Sequence, residues 1–182
     1  MDYRTMMTPQ PDGLSCGVSV TQAVLRWLGV DRNYNTVRGW LRCDDVLPSC
    51  IGGLSPMFEK LIGKRRADAL RGVTPWAMRE VLSRFGIFMR PLSPCTKVWL
   101  QRELKLGPVV GLMDGISHWV LLVNYDDDGF YILDPCIEDP DCHRFSPYSE
   151  NLNLSVAFTL TELPLTQIAF TAKLVTEIAC NL

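Results

Sequence analysis

The chain has 182 residues, of which 47% are hydrophobic and 21% are charged, and its net charge at pH 7 is −2. This composition is typical of a globular protein and argues against disorder. The slight negative net charge does not fit the basic surface that nucleic-acid binding proteins present. No apolar run reaches the roughly 20 residues that a membrane-spanning helix needs. We therefore expect no nucleic-acid partner and no membrane partner.

The N-terminus lacks the apolar core of a secretory signal, so we expect synthesis in the cytosol, with later export open only to a route without a cleaved signal. The seven cysteines are an odd number, which favours free thiols over a disulfide framework. A local Cys43–Cys50 bridge stays open if the protein works outside the cell. The cluster of Cys136, Cys142 and His143 lacks the usual zinc spacing and a second ligand pair. We expect no metal and no cofactor.

The first predicted element is a helix over 16–28, which follows a turn-rich peptide at 10–15. Its apolar side chains recur at the spacing of one broad helical stripe: Val20, Ala23, Val24, Trp27 and Leu28. Gly29 supplies the stop signal. The pattern therefore places Cys16 in the first turn of a buried helix.

Helical signals continue to about residue 105. The clearest start is Thr74-Pro75, because threonine caps a helix and proline suits its first position; Gly86 ends this helix. The other predicted elements here are helices at 35–42, 55–63 and 97–105, a loop at 43–54 and a short strand at 87–89.

After residue 107 the pattern becomes that of strands. The predicted strands cover 108–113, 118–124 and 130–134, with a hairpin turn at 126–129, a polar loop at 136–153 and a last edge strand at 155–160. The tail 165–180 fits either helix or strand. Helices followed by antiparallel strands indicate an α+β fold. We expect one domain over 1–182, with a helical lobe at about 1–106, a sheet lobe at about 107–182 and a cleft between them.

The candidate chemistry centres on Cys16. A helix N-terminus and a neighbouring imidazolium both favour the reactive thiolate. The chain has two histidines, and His118 opens a strand whereas His143 lies in the polar loop. Asp134 closes the partner strand of the hairpin, so we expect it close to His118, where it would orient the imidazole.

Acyl transfer also needs donors for the oxyanion of its tetrahedral intermediate. The backbone N–H of Cys16 is one candidate donor, and the side-chain amide of Gln10 is the other if the Asp12-Gly13 turn folds the peptide back. Gly17 would let a substrate backbone approach the sulfur.

The order Gln10, Cys16, His118, Asp134 resembles that of the papain-like cysteine peptidases, and most of all the double-glycine (bacteriocin leader) peptidase family. The resemblance spans about residues 9–135, although Ser15 stands where many members have Asp. The matching segments are Pro9-Gln10-Pro11-Asp12, Cys16-Gly17-Val18, Gly107-Pro108-Val109-Val110, His118-Trp119-Val120 and Ile132-Leu133-Asp134-Pro135.

The resemblance implies a two-lobed papain-like fold with Cys16 as nucleophile, His118 as general base and acid, Asp134 as the group that orients His118, and Gln10 in the oxyanion hole. It implies a peptidase acting on a peptide or protein substrate. Free-standing domains of this kind also resemble bacterial effectors or toxins that act on a protein of a target cell. Two alternatives stay open: a glutamine deamidase or acyltransferase, and an inactive module that binds a partner protein. Trp119 and Tyr131 are the candidate anchors of such a module, although core packing is the expected role of both.

Overall fold

The computed structural model describes residues 5–44, 72–92, 96–113, 118–127, 129–136, 146–148 and 154–162. In chain order, its elements are α1 (Cys16–Trp27), α2 (Tyr34–Leu41), α3 (Pro75–Ser83), β1 (Ile87–Leu92), α4 (Lys97–Leu104), β2 (Val109–Met113), β3 (His118–Tyr125), β4 (Phe130–Leu133), β5 (Ser146–Tyr148) and β6 (Leu154–Glu162). The predicted helix at 55–63 and the tail 165–180 lie outside the described residues. No helix in the described ranges is long and apolar enough to cross a membrane.

Helix α1 lies in the core of the molecule. Every residue from Cys16 to Leu25 is buried, including the polar ones. The helix ends where Gly29 adopts a positive φ of 77°, a conformation that costs other residues steric strain. A nucleophile carried on such a helix has little freedom to move, because close-packed neighbours surround it.

The capping signals in the sequence act as expected in α3. Thr74 Oγ1 accepts a hydrogen bond from the Ala77 N–H at 3.1 Å, and Pro75 occupies the first helical position. The inward face of this helix is formed by Ala77, Met78, Val81 and Leu82, all of them buried. This helix start brings Val73 against Gly17 of α1.

Within the described residues, the strands form one six-stranded antiparallel sheet in the order β1-β6-β2-β3-β4-β5. Alternate residues of β3 face opposite sides of it. Trp119, Leu121 and Val123 join the core formed with α1, α2 and α3, whereas Val120 and Leu122 join a second core that contains Leu100 of α4. Helices therefore cover both faces at β3, which explains why residues 119–123 of this strand are all apolar.

Two strand predictions and one loop prediction need correction. The segment at 155–160 was expected at an edge, but β6 lies between β1 and β2, with Leu160 opposite Met89 and Phe158 opposite Val110. Its buried apolar residues fit this interior place. The loop expected at 136–153 contains the short strand β5, which pairs with β4. Strand β1 runs to Leu92, beyond the predicted end at residue 89.

Candidate active site

Cys16 is the first residue of α1 and is 7% exposed. Its backbone N–H points from the start of the helix, where no preceding turn supplies an acceptor, and no carbonyl in the described part of the chain accepts it. The side chain of Ser15 does not cap the helix; its hydroxyl instead donates to the Asp12 carbonyl oxygen at 3.3 Å. The nucleophile candidate thus has a free helix-terminal donor on its own backbone.

His118 and Asp134 form a direct side-chain contact, with Nε2 and Oδ1 2.7 Å apart. The β3–β4 register pairs Leu121 with Leu133, so it places His118 next to the residues that follow β4. Asp134 Oδ1 also accepts the Cys136 N–H at 2.8 Å. Burial by itself would raise the pKa of Asp134, but the His118 and Cys136 hydrogen bonds outweigh it and lower that pKa. This carboxyl is therefore held as a carboxylate.

His118 also lies close to the side chain of Cys16, which contributes to the pKa of the imidazole. Since Nε2 faces Asp134, the ring nitrogen left for the sulfur is Nδ1. Burial lowers the pKa of His118, but the hydrogen bond to Asp134, the charge of that carboxylate and the nearby Cys16 side chain raise it to about 10. The structure thus brings a sulfur, an imidazole that favours its charged form, and a carboxylate into one row.

Gln10 lies beside this row. Its Nε2 donates to the Asp12 carbonyl oxygen at 2.8 Å, which is the folded-back turn expected from the sequence. Its backbone N–H donates to the Pro135 carbonyl oxygen at 3.0 Å, directly after Asp134. Its Oε1 is buried with no hydrogen-bond partner among the described residues. The peptide before Cys16 is therefore joined to the strand end that carries Asp134.

The structure assigns Gly17 a different role from the one expected. A Cβ at this position would lie 2.4 Å from Val73 Cβ, so the bare α-carbon is covered by the segment before α3. Real Cβ atoms do not approach so closely. Gly17 serves close packing between α1 and Val73, and its α-carbon faces protein rather than an open cleft.

Trp119 cannot act as an exposed anchor for a partner, because it is 2% exposed. Its Nε1 donates to the Val73 carbonyl oxygen at 2.8 Å. Tyr131 is half-buried, and its hydroxyl donates to Asp126 Oδ2 in the hairpin turn. Core packing accounts for Trp119, and the hydrogen bond to the hairpin turn accounts for Tyr131.

Sequence reasoning missed several groups that hold the peptide before Cys16. Arg38 of α2 contacts Asp12 at 2.7 Å, the Tyr34 hydroxyl donates to the Ser15 carbonyl oxygen at 3.3 Å, and the Cys43 thiol donates to the Leu14 carbonyl oxygen at 3.2 Å. Burial raises the pKa of Cys43 to about 11, so its thiol keeps its proton. Cys16, Cys43 and Cys136, the cysteines within the described ranges, are free thiols. Cys50, Cys142 and His143 lie outside those ranges.

No family model matches the sequence, and no curated protein is significantly similar to it. Solved structures are similar in fold. The peptidase domain of Streptococcus ComA, a bi-functional ABC transporter involved in quorum sensing, aligns with a TM-score of 0.58 and 18% identity, covering 86% of this chain and 97% of that one. A double glycine motif protease from an AMS/PCAT transporter, solved with its leader peptide, aligns with a TM-score of 0.57 and 15% identity, covering 86% and 90%.

At these identities the likeness establishes the fold. The α+β class predicted from the sequence is confirmed, and so is the predicted structural resemblance to double-glycine peptidase domains. This chain has the papain-like fold of those peptidase domains.

Proposed function

We propose that the protein is a cysteine peptidase that cleaves a peptide amide bond through Cys16, His118 and Asp134. The observation that carries the proposal is the position of His118, which forms a hydrogen bond with the Asp134 carboxylate and lies close to the Cys16 side chain at the start of α1. An imidazolium next to a thiol at a helix N-terminus favours the thiolate, which is the nucleophilic form.

In the proposed reaction the Cys16 thiolate attacks the substrate carbonyl carbon, and the carbonyl electron pair moves to oxygen. The Cys16 backbone N–H and the side-chain amide of Gln10 stabilise this oxyanion. Gln10 Nε2 carries two hydrogens, and its bond to Asp12 uses one of them. When the C–N bond breaks, the His118 Nδ1 proton goes to the leaving amine. Neutral His118 then takes a proton from water, which hydrolyses the thioester and releases the acid.

Asp134 acts on His118 and not on the substrate. Its contact with Nε2 fixes the plane of the ring and leaves Nδ1 for the sulfur. It also stabilises the imidazolium, as its effect on the pKa of His118 indicates. A carboxylate in this position speeds the reaction by orientation and charge.

The proposed substrate is a peptide or an extended protein segment. One solved neighbour in fold was captured with a leader peptide, which supports a peptide ligand for this architecture. A double-glycine leader and a target-cell protein are the two substrate classes that follow from the sequence resemblance. The effector or toxin role stays a prediction.

The test is to incubate the protein with a proteome and with synthetic double-glycine leader peptides, and to map new N-termini by mass spectrometry. Cleavage by the wild type and none by Cys16→Ala supports the peptidase. Cys95→Ala, which removes a thiol elsewhere in the chain, is the matched control and should cleave normally. New carboxylates at glutamine without new N-termini would identify a deamidase, and capture of a protein without any turnover would identify a binding module.

A further inference from the structure

The Asp12 residue connects Gln10 to the residues that precede the nucleophile. Its backbone oxygen accepts hydrogen bonds from Gln10 Nε2 at 2.8 Å and from the Ser15 hydroxyl at 3.3 Å. Its side-chain Oδ1 accepts the Leu14 N–H at 3.0 Å. The orientation of the Gln10 amide therefore depends on where the peptide group of Asp12 lies.

Arg38, which lies 26 residues further along the chain, holds the other side of Asp12. Its Nη1 donates to Asp12 Oδ2 at 2.7 Å. Its Nε and Nη2 donate to the two carboxylate oxygens of Asp44 at 2.9 and 2.5 Å. The guanidinium thus uses both edges, one for each acid, and its side chain is 20% exposed.

The charges of this cluster agree with its geometry. The hydrogen bond to Asp44 raises the pKa of Arg38; burial lowers it, but the contact with Asp12 also raises it. Burial would raise the pKa of Asp12, yet the hydrogen bonds from Arg38 and Leu14 outweigh burial and lower it. Both partners are therefore charged at neutral pH, which favours the short and directional type of contact.

The rest of the peptide is held by other groups. The Gln10 backbone is bonded to Pro135, the Ser15 carbonyl to Tyr34, and the Leu14 carbonyl to Cys43. These bonds fix the path of the chain. Within the described residues, the bond to Asp12 is what fixes the side-chain amide of Gln10, and Arg38 is the charged group that fixes Asp12.

We propose that Arg38 is a positioning residue for the oxyanion donor Gln10, acting through Asp12. This inference rests on the proposed function, because an oxyanion arises only if Cys16 attacks a carbonyl. Arg38 does not touch the sulfur or the imidazole. Its loss should therefore impair acyl transfer to Cys16 and leave the intrinsic reactivity of the sulfur unchanged.

Two probes of the same sulfur separate these effects. p-Nitrophenyl acetate acylates Cys16: a C–S bond forms, the C–O bond to p-nitrophenolate breaks, and an oxyanion intervenes. Iodoacetamide alkylates Cys16 by displacement of iodide at a saturated carbon, with no oxyanion. The measured quantity is the ratio of the acylation rate to the alkylation rate at Cys16, taken from peptide mass spectrometry.

In Arg38→Gln we expect this ratio to fall by about tenfold or more, since a small misplacement of a donor costs rate steeply. Gln10→Ala should lower it similarly, and the double variant Gln10→Ala/Arg38→Gln should be no worse than Gln10→Ala. Arg38→Lys, which keeps the charge but not both edges, should recover part of the loss. Arg84→Gln, which removes an exposed ion pair with Glu80, is the matched control and should leave the ratio unchanged.

The outcomes separate the two proposals. If wild-type Cys16 is not acylated in excess of the other thiols, the peptidase proposal fails. If the wild type is acylated but Arg38→Gln keeps the wild-type ratio, the positioning role of Arg38 is overturned alone. A variant in which both rates fall together with the unfolding temperature would show a purely structural role and would also overturn it.

Discussion

The backbone N–H of Gln10 donates to the backbone carbonyl oxygen of Pro135 at 3.0 Å. This single bond joins the peptide that precedes Cys16 to the residue that follows Asp134. The bond brings Gln10 close to Asp134, although the two residues are distant in sequence. The relative positions of Gln10 and Asp134 are thus set by backbone, which varies less than side-chain conformation.

Iodoacetamide at pH 6 should modify Cys16 before the other thiols. The imidazolium of His118 lies next to this sulfur, and Cys16 begins helix α1; a neighbouring imidazolium and a helix N-terminus are the two settings that make cysteines reactive. Cys43 should resist, because its thiol is buried and protonated, and Cys136 is the exposed internal comparison. Peptide mapping at increasing times measures the order, and equal rates at Cys16 and Cys136 would contradict the proposed pairing with His118.

The alkaline limit of activity should be set by His118. Its imidazolium persists to a pKa of about 10, so the rate of Cys16 acylation should fall only as the pH approaches that value. In Asp134→Asn the main support of the charge is lost, and the alkaline limb should move toward the ordinary value of 6.5. A pH profile of p-nitrophenyl acetate acylation measures the alkaline limb of the wild type and of Asp134→Asn. An unchanged limb in Asp134→Asn would refute the assignment.

The His118–Asp134 contact should also stabilise the fold in a defined pH window. The raised pKa of His118 contributes stability that is complete below 6.5 and is lost as the pH rises toward 10. The lowered pKa of Asp134 contributes stability present above 3.8 and lost as the pH falls through its folded-state value. Asp134→Asn should therefore lower the unfolding temperature more at pH 5.5 than at pH 10, as thermal scans would measure. An equal drop in the unfolding temperature at both pH values would contradict a stabilising role for the His118–Asp134 contact.

Gly17→Ala should destabilise the protein by about 1–3 kcal/mol, the usual cost of forcing an atom into a packed core. The new Cβ would meet Val73 Cβ at 2.4 Å. Adding Val73→Ala should not restore stability, because alanine keeps the clashing Cβ, whereas Val73→Gly removes it. Urea denaturation of Gly17→Ala, Gly17→Ala/Val73→Ala and Gly17→Ala/Val73→Gly measures the order of their stabilities. A Gly17→Ala protein as stable as the wild type would show that α1 and Val73 can separate freely.

Trp119→Phe should cost about 1–3 kcal/mol, because the Val73 carbonyl loses its donor. The apolar contacts of the ring with Phe158 would largely remain. The measurement is the free energy of unfolding in urea. A neutral substitution would show that water or another donor replaces the indole N–H.

The sequence was sufficient for features that depend on local patterns. The stripe of α1, the Thr74-Pro75 start of α3 and the hairpin that brings Asp134 to His118 all follow from short-range spacing. The sequence did not predict the details of strand register. The β3–β4 pairing shifts between Leu122 and Asn124, and no residue type there predicts such a bulge.

The sequence also did not predict contacts between residues that are far apart in the chain. The interior place of β6 depends on pairing with β1, more than sixty residues earlier, which an isolated strand pattern does not reveal. The packing of Gly17 on Val73 and the contact of Arg38 with Asp12 likewise join residues from different elements. A glycine after a nucleophile favours the hypothesis of substrate access, and only the tertiary contact corrects it.

The closeness of Cys16 to His118 has a consequence for biosynthesis. The histidine follows the cysteine by more than a hundred residues, and the hairpin that orients it is completed later still. A nascent chain that has emerged only through β2 carries the thiol without its imidazole. Pairing of the two groups can therefore begin only after β3 has been synthesised, more than a hundred residues after the thiol itself.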